Sequence, residues 1–192
     1  MKKKMGLEEL AQYAYSGLKK AGIDVTLSGG ACVSIYTDNA YQSGDLDFIR
    51  QLHDGFEKVS GIMEGLGFER EGRHFTHPES GFFVEFPPPP ISVGNEPPRS
   101  IVENVLKTDL GEMPVKMLSP TDCVKDRLCG YFYWNDLQCL EQATMVAVAR
   151  EKDVDMKELE RWARQEGMPE RFSTFQERLR KQRPGKGRKR GK

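Results

Sequence analysis

The sequence predicts an α+β protein in which a mixed or antiparallel β-sheet is flanked by helices and followed by a C-terminal helical region. Three observations support this fold class. Short apolar segments with strand periodicity alternate with amphipathic helices up to residue 118. The motif Ser119-Pro120-Thr121-Asp122 is a strong helix start, with serine as the N-cap and proline at the first helical position. Beyond this motif, helical periodicity continues to about residue 182.

Up to residue 118, the spacing of apolar residues predicts the helices and strands, and glycine and proline mark where they end. Apolar residues at helical spacing predict a first helix over 6–21, which Gly22 ends. A short apolar strand over 24–28 then leads into a glycine pair and a helix over 31–36. Alternating acidic and apolar residues predict the next strand. The predicted strands are 24–28, 45–50, 68–76, 81–86, 101–108 and 114–118, with a further helix over 54–66.

The later elements have equally local signals. Strands 68–76 and 81–86 are expected to be antiparallel, with their turn at residues 78–81. The four prolines over 87–90 have to leave the sheet, because proline cannot donate to a strand ladder. The last two strands form a predicted hairpin around Gly111. In the second part, the predicted helices are 120–132, 135–151, 155–166 and 169–182.

Length and charge limit the organisation of the chain. The 192 residues suffice for one domain or slightly more, and the formal net charge is zero. We expect an α/β catalytic domain over 1–118, a helical region over 119–182 and a disordered basic tail over 183–192. The tail could hold a phosphate backbone through counterion release, or it could serve only as a solubilising segment.

Cysteine usage and hydropathy indicate the compartment. None of the four cysteines forms a Cys-x-x-Cys pair, and we expect buried free thiols in a reducing environment. No segment resembles a signal peptide or reaches the roughly 20 apolar residues of a membrane span. The sequence therefore predicts a cytoplasmic protein that has no membrane partner.

Three carboxylates are the main candidates for chemistry. Asp45 and Asp47 are alternate residues of one predicted strand, so their side chains project from the same face. Glu85 lies in the otherwise apolar segment Phe82-Phe83-Val84-Glu85-Phe86, where an unpaired charge would be costly. Carboxylates so close together call for a cation, and Mg²⁺ prefers such oxygen ligands. The alternative is a solvated strand end with no bound ion.

A glycine turn precedes these carboxylates. Gly29 and Gly30 follow a predicted strand and precede a predicted helix. Glycines allow the backbone to approach a phosphate, and the helix N-terminus offers free N–H groups. A tight strand-to-helix turn also favours glycine when no ligand binds. The Asp-x-Asp pair that follows is what supports a phosphate-binding role for this turn.

Together these motifs resemble the nucleotidyltransferase (polymerase-β-like) superfamily. Leu27-Ser28-Gly29-Gly30 followed by Ser43-Gly44-Asp45-Leu46-Asp47-Phe48 is similar to its signature of a glycine turn, a spacer and Asp-x-Asp. The resemblance implies a nucleotidyltransferase-like sheet and two metal ions, Mg²⁺ or alternatively Mn²⁺, held by Asp45, Asp47 and Glu85. It also implies an NTP whose phosphates contact Gly29, Gly30 and Ser43. The arginine that the family places two residues before the serine is Tyr41 here.

The second half resembles the AbiE-type toxin nucleotidyltransferases and their uncharacterised relatives. The similar segments are 119–127 and Trp134-Asn135-Asp136. The resemblance implies that Lys125 meets the nucleotide phosphates and that Asp136 completes the nucleotide site. It also implies a toxin–antitoxin pair, with an antitoxin as partner. Lys125 is equally compatible with a solvated helix residue, and Asp136 with a helix N-cap.

The expected reaction is the transfer of a nucleoside monophosphate from an NTP to a hydroxyl of an RNA such as tRNA, a protein or a small molecule. Two alternatives remain open at this stage. One is an inactive protein of the same fold that acts as a binding or regulatory partner. The other is an RNA-binding module that depends on the basic tail.

Overall fold

The computed structural model describes residues 4–51 and 55–182. Within them, seven helices and a seven-stranded mixed sheet confirm the predicted α+β class with its C-terminal helical region. None of the described helices is both long and apolar enough to cross a membrane. The predicted tail over 183–192 and the basic residues 1–3 lie outside the described residues. The helices are α1 (Leu7–Lys20), α2 (Gly29–Tyr36), α3 (Phe56–Gly65), α4 (Pro120–Trp134), α5 (Leu137–Ala149), α6 (Met156–Gln165) and α7 (Pro169–Gln182).

The sheet has the strand order β3-β4-β5-β2-β1-β7-β6. The central strand β2 pairs antiparallel with β1 and parallel with β5, and β1 pairs parallel with β7. The remaining neighbours are antiparallel. The strands are β1 (Val25–Ser28), β2 (Asp45–Arg50), β3 (Glu69–Glu71), β4 (His74–Thr76), β5 (Phe83–Glu85), β6 (Ile101–Thr108) and β7 (Gly111–Leu118).

The structure corrects three of the predicted boundaries. The segment predicted as one strand over 68–76 is two strands, because Gly72 has a positive φ of 65° and turns the chain between β3 and β4. Helix α2 begins at Gly29 rather than at residue 31, so the glycine pair is its first turn. Strand β7 begins at Gly111, and the hairpin turn lies at residues 109–110.

In strand β2, one face packs on the core under α1 and α3, and the other carries the acidic residues. Phe48 is fully buried and stacks with Tyr15 of α1, with ring centroids 6.4 Å apart. On the same face, Phe75 lies against Phe56 of α3. Because alternate strand residues point to opposite faces, Asp45 and Asp47 project away from this core.

The C-terminal helices continue from the sheet through a well-formed cap. The hydroxyl oxygen of Ser119 accepts a hydrogen bond from the backbone N–H of Asp122, as predicted for the N-cap of α4. Trp162 of α6 is fully buried and stacks on Phe132 of α4, with centroids 5.3 Å apart. Arg150, at the end of α5, donates to the carbonyl of Tyr36 in α2. The helical region thus packs on the face of the sheet that carries α2.

Candidate active site

Three carboxylates meet on neighbouring strands at the middle of the sheet. Asp45 and Asp47 are alternate residues of β2, so both project from one face. Asp47 is the register partner of Glu85 on the parallel strand β5, which places Glu85 on that face as well. The strand phases predicted from the sequence therefore agree with the observed pairing.

The glycine turn lies directly against this carboxylate pair. Ser28, the last residue of β1, is the register partner of Asp47. Gly29 has a φ of +68°, and a Cβ added there would overlap Oδ2 of Asp47. A Cβ on Gly30 would stand 2.6 Å from Oγ of Ser43. Any larger residue in this turn would displace Asp47 or Ser43.

Ser43 connects the turn to the first carboxylate. Its hydroxyl donates to Oδ1 of Asp45 at 2.8 Å, while its backbone N–H donates to Oγ of Ser34 at 2.9 Å. The Ser34 hydroxyl in turn donates to the carbonyl of Gly30. These bonds fix the loop before β2 relative to the first turn of α2. The structure thus brings Gly29, Gly30 and Ser43 together with the carboxylates.

The first backbone N–H groups of α2 could donate hydrogen bonds to an anion. Ser28 is its N-cap residue, yet no side-chain hydrogen bond caps the helix. The first N–H groups of a helix lack intrahelical partners and favour negative charge. Tyr41, which stands where the family has arginine, has its hydroxyl oxygen 3.5 Å from the Cβ position of Gly30. A tyrosine carries no positive charge in either protonation state, and burial raises the pKa of Tyr41, which keeps its hydroxyl neutral.

Asp47 is electrostatically destabilised as a carboxylate. Burial raises its pKa from 3.8 to about 7, and the negative charges of Asp45 and Glu85 add to the effect. The guanidinium of Arg127 opposes this rise. Such a shift means that the ionised form lacks a sufficient counter-charge. A hard divalent cation would supply it, and two carboxylates on one face are suitable oxygen ligands.

Glu85 has a partner that the sequence did not reveal. Nε2 of His74 lies 2.6 Å from Oε1 of Glu85, and the two residues are register partners on β4 and β5. The His74 ring also stacks on Phe83, with centroids 4.6 Å apart. Within the described residues, no three acidic, histidine or cysteine side chains form a group able to hold a metal ion. Glu85 is thus engaged by His74, whereas Asp45 accepts from Ser43 and Asp47 lies against Gly29.

A positive side chain reaches this face from α4. Arg127 and Asp47 line the same cavity of about 290 Å³, beside Gly29 and the proline segment 87–90. Arg127 is held in place by Asp126, whose Oδ2 accepts from its Nε at 2.9 Å. Sequence reasoning missed Arg127 as a site residue. Its available signal was the charged pair Asp126-Arg127, which directly follows Lys125 in the sequence.

The structure does not bring Lys125 to the carboxylates. Its side chain is fully buried, and its Nζ donates to Glu158 at 2.7 Å and to Glu96 at 2.9 Å. Asp122 lies 3.6 Å away. Successive residues of an α-helix are about 100° apart, so residues 125 and 127 point in nearly opposite directions. Arg127 consequently faces the cavity, whereas Lys125 faces α6.

The ion pairs of Lys125 hold one wall of the site. Residues 87–99 form the loop between β5 and β6, and its prolines line the cavity with Asp47. Glu96 of this loop pairs with Lys125 and also with Arg161 of α6. The indole N–H of Trp162 donates to the carbonyl of Val93 in the same loop. The loop is therefore clamped onto α4 and α6.

A second cavity adjoins the first. It measures about 530 Å³ and shares Ser92, Asp126 and Arg127 with the smaller one. Tyr133 and Trp134 line it and are 41% and 77% exposed, unlike their buried neighbours Tyr131 and Phe132. The aromatic run over 131–134 thus divides: its first half is buried and its second half contributes to this cavity.

Asp136 lies in the larger cavity as the N-cap of α5. Its Oδ1 accepts from the backbone N–H groups of Gln138 and Cys139, and these bonds lower its pKa. The alternative that Asp136 caps a helix thus describes its observed contacts.

The four cysteines are free thiols that differ in burial. Cys129 and Cys139 line the larger cavity and are half-buried, whereas Cys32 and Cys123 are buried as expected. Burial raises the pKa of Cys129 to about 12.

Comparison with known proteins gave structural likenesses alone. The chain matches no protein-family model and no curated protein. The crystal structure of ANT(2'')-Ia in complex with adenylyl-2''-tobramycin is 13% identical, with a TM-score of 0.47 over 73% of this chain and 87% of that one. The solution structure of ANT(2'')-Ia is 13% identical, with a TM-score of 0.47 over 91% and 95%.

An antigenic nucleotidyltransferase-like protein from Paracoccidioides brasiliensis is similar to a comparable degree. It is 16% identical, with a TM-score of 0.47 over 74% of this chain and 77% of that one. Likenesses at this TM-score carry no conclusion about this chain. Its function has to be inferred from the geometry of its own site.

Proposed function

We propose that this protein is a nucleotidyltransferase, which transfers a nucleoside monophosphate from an NTP to a hydroxyl group of an acceptor. One observation carries the proposal: a glycine turn at a helix N-terminus lies against Asp47, whose carboxylate shares a face with Asp45 and Glu85. This arrangement places a site for phosphate oxygens next to a site for a cation. Transfer between phosphate and hydroxyl oxygens requires both.

Asp45 and Asp47 are the residues that would hold a divalent ion, Mg²⁺ or alternatively Mn²⁺. The donor set fits, because both ligands are carboxylates and the raised pKa of Asp47 reports a missing counter-charge. When bound, such an ion would neutralise charge on the phosphate oxygens and lower the pKa of a coordinated hydroxyl. Glu85 would complete the ligand set for a second ion once its carboxylate leaves His74.

The phosphates would lie between the glycine turn and α4. Gly29 and Gly30 allow close approach of the backbone, and the uncapped N–H groups of α2 favour anionic oxygens. Ser43 would donate to a phosphate oxygen if its hydroxyl turned from Asp45. Arg127 would supply positive charge from the opposite side of the cavity. In this assignment Arg127 takes the place given to Lys125 by the sequence resemblance.

The reaction needs a proton acceptor as well. The acceptor hydroxyl oxygen would form a bond to the α-phosphorus, and the bond from that phosphorus to the bridging oxygen of pyrophosphate would break. The hydroxyl proton would pass to a carboxylate of the site, for which Glu85 is suited because it is partly exposed. Release from His74 would free the Glu85 carboxylate oxygen for this role.

The proposed acceptor hydroxyl belongs to one of three classes of molecule. An RNA such as tRNA, a protein hydroxyl and a small molecule are the three candidates. The role of Asp136 would be to shape the larger cavity next to Arg127, where the nucleoside or the acceptor would lie. A toxin role with an antitoxin partner is the biological setting that the sequence resemblance suggests.

The decisive experiment measures NTP binding and transfer in matched variants. We expect calorimetry to detect Mg²⁺-dependent NTP binding by the wild type and none by Asp45→Asn or Asp47→Asn. Asp38→Asn is the control, because Asp38 is exposed and outside the site. Incubation with each α-labelled NTP and total cellular RNA, protein and metabolites should then label one fraction.

Two outcomes would count against the proposal. Unchanged NTP affinity in both site variants would remove the carboxylates from nucleotide binding altogether. Binding without any label transfer would favour the alternative of an inactive protein of this fold, in which Glu85 stays engaged with His74.

A further inference from the structure

Strand β6 forms one edge of the sheet and has the properties of an interface. It is eight residues long, and no described strand pairs with its outer side. Long exposed edge strands offer unpaired N–H and C=O groups to another chain. Two strands, β7 and β1, separate β6 from the carboxylates on β2. This edge therefore lies away from the candidate site, and its properties do not depend on the proposed function.

The backbone register fixes which groups of β6 point outwards. The N–H of Ser119 donates to the carbonyl of Ser100, the pair adjoining Ile101 and Leu118. Hydrogen-bonded and non-hydrogen-bonded pairs alternate along an antiparallel ladder. The even-numbered residues of β6 consequently bond to β7. The odd-numbered residues direct their N–H and C=O groups towards the free edge: Ile101, Glu103, Val105 and Lys107.

The side chains of the same residues are exposed and partly apolar. Six large hydrophobic residues are exposed in the described parts of the chain, and three of them belong to this hairpin. They are Ile101, Val105 and Leu110, at 39%, 49% and 57% exposure. Glu103 and Lys107 flank Val105 symmetrically along the strand. This order is complementary to itself when the strand is reversed.

We infer that two copies of this chain pair through β6 in an antiparallel, two-fold symmetric dimer. Val105 would lie opposite Val105 of the partner subunit, with Glu103 opposite Lys107 of the partner subunit and the reverse. Each outward N–H and C=O would then have a partner in a sheet that continues through both copies. Oppositely charged residues directly across a strand pair are stabilising.

Neighbouring registers are less favourable. A shift of two residues towards the N-terminus in each copy would place Glu103 opposite the partner's Glu103. The opposite shift would place Lys107 against the partner's Lys107. The intermediate registers place Lys107 opposite an apolar residue, and Glu103 opposite either the partner's Val105 or the like-charged Asp109 of the partner subunit. The present partners of these charges, Lys19 at 3.9 Å from Glu103 and Glu112 at 2.8 Å from Lys107, are exposed and would compete little.

The test is a charge swap followed by the oligomeric state in solution. We expect light scattering with size exclusion, and sedimentation over a wide concentration range, to find a wild-type dimer. Glu103→Lys alone and Lys107→Glu alone each place two like-charged pairs across the interface. Each should weaken dimerisation about tenfold or more. The double variant restores both attractive pairs and should recover wild-type dimerisation.

Two further variants control for the fold and the backbone. Lys20→Glu reverses an exposed charge on α1 and should leave the dimer unchanged. Val105→Pro removes an outward N–H that β7 does not use, so it should give a folded monomer with a normal thermal transition. A wild type that is monomeric at every concentration would overturn the inference. So would a double variant that associates no better than the single ones.

Discussion

The carboxylate of Asp47 lies directly against the backbone of Gly29, so that a Cβ at residue 29 would overlap Oδ2. This contact joins the first turn of α2 to the middle of β2. It also means that the glycine serves two needs at once, since its φ of +68° is rarely adopted by other residues. Backbone conformation and close approach both require glycine at this position.

Gly29→Ala should therefore lose both stability and NTP binding. Gly72→Ala is the matched control, because Gly72 has a similar φ of +65° and no atom within 4 Å of its Cβ position. We expect Gly72→Ala to cost about 1–2 kcal/mol of unfolding free energy from strain alone. Gly29→Ala should cost more, and calorimetry should detect no NTP binding. Equal losses of stability, with NTP binding retained in both variants, would contradict this prediction.

Asp47→Asn should be more stable than the wild type at high pH when divalent ions are removed. The folded pKa of Asp47 is about 7 against 3.8 ordinarily, so the folded state binds more protons between these values. The wild type consequently loses stability as the pH rises from about 4 to 7. After allowance for partial exposure, we expect a difference of about 2 kcal/mol at pH 8 that vanishes near pH 4.

Chemical denaturation in a chelator at several pH values measures this difference. Adding Mg²⁺ at pH 8 should raise the Tm of the wild type and leave that of Asp47→Asn unchanged. The exposed control Asp38→Asn should follow the wild type throughout. A stability difference that does not vary with pH would contradict the assigned cause.

Arg127→Met and Lys125→Met should have different consequences, although only two residues separate them. Arg127 lines the cavity with Asp47, so its loss should weaken NTP binding by about tenfold or more. Lys125 is buried between Glu96 and Glu158, so its loss removes the buried partner that these carboxylates share and should cost about 3–5 kcal/mol of stability. Denaturation and calorimetry on both variants separate the two roles. A folded Lys125→Met variant of wild-type stability would contradict the second expectation.

The same buried cluster predicts sensitivity to acid. Hydrogen bonding from Arg161 lowers the pKa of Glu158 from 4.5 to about 2, and Lys125 contributes as well. Since the folded pKa is depressed, this stabilisation is present above about pH 4.5 and is lost as the pH falls towards 2. We expect it to amount to roughly 2–3 kcal/mol. Glu158→Gln should have a lower Tm at pH 7 and a flatter decline in acid, as differential scanning calorimetry would measure.

Much of the fold follows from local signals in the sequence. Ser119 and Pro120 fix the start of α4, and the alternation of Asp45, Leu46, Asp47 and Phe48 fixes β2 with its two faces. These features depend on neighbouring residues, which a sequence displays directly. The sequence does not predict the turn at Gly72, because a single glycine in an otherwise strand-like segment gives no local indication that its φ is positive.

The sequence predicts those features of the candidate site that depend on which face of a strand a residue occupies. It does not predict the features that depend on strand order or on the rotation of a helix about its axis. The side of the sheet that Asp47 and Glu85 share follows from periodicity. The contact between His74 and Glu85 depends on which strands are neighbours, and sequence distance does not give that. Likewise, the choice between Lys125 and Arg127 depends on how α4 is rotated, which its packing against α6 decides.

The clamp on residues 87–99 has a consequence for how the chain can be divided. All three site carboxylates lie before residue 118, yet the wall facing them is held by Lys125, Arg161 and Trp162. A fragment that ended at residue 118 would keep every acidic group and lose the shape of the pocket. The sheet carries the three carboxylates, and the helices determine the shape of the cavity beside them.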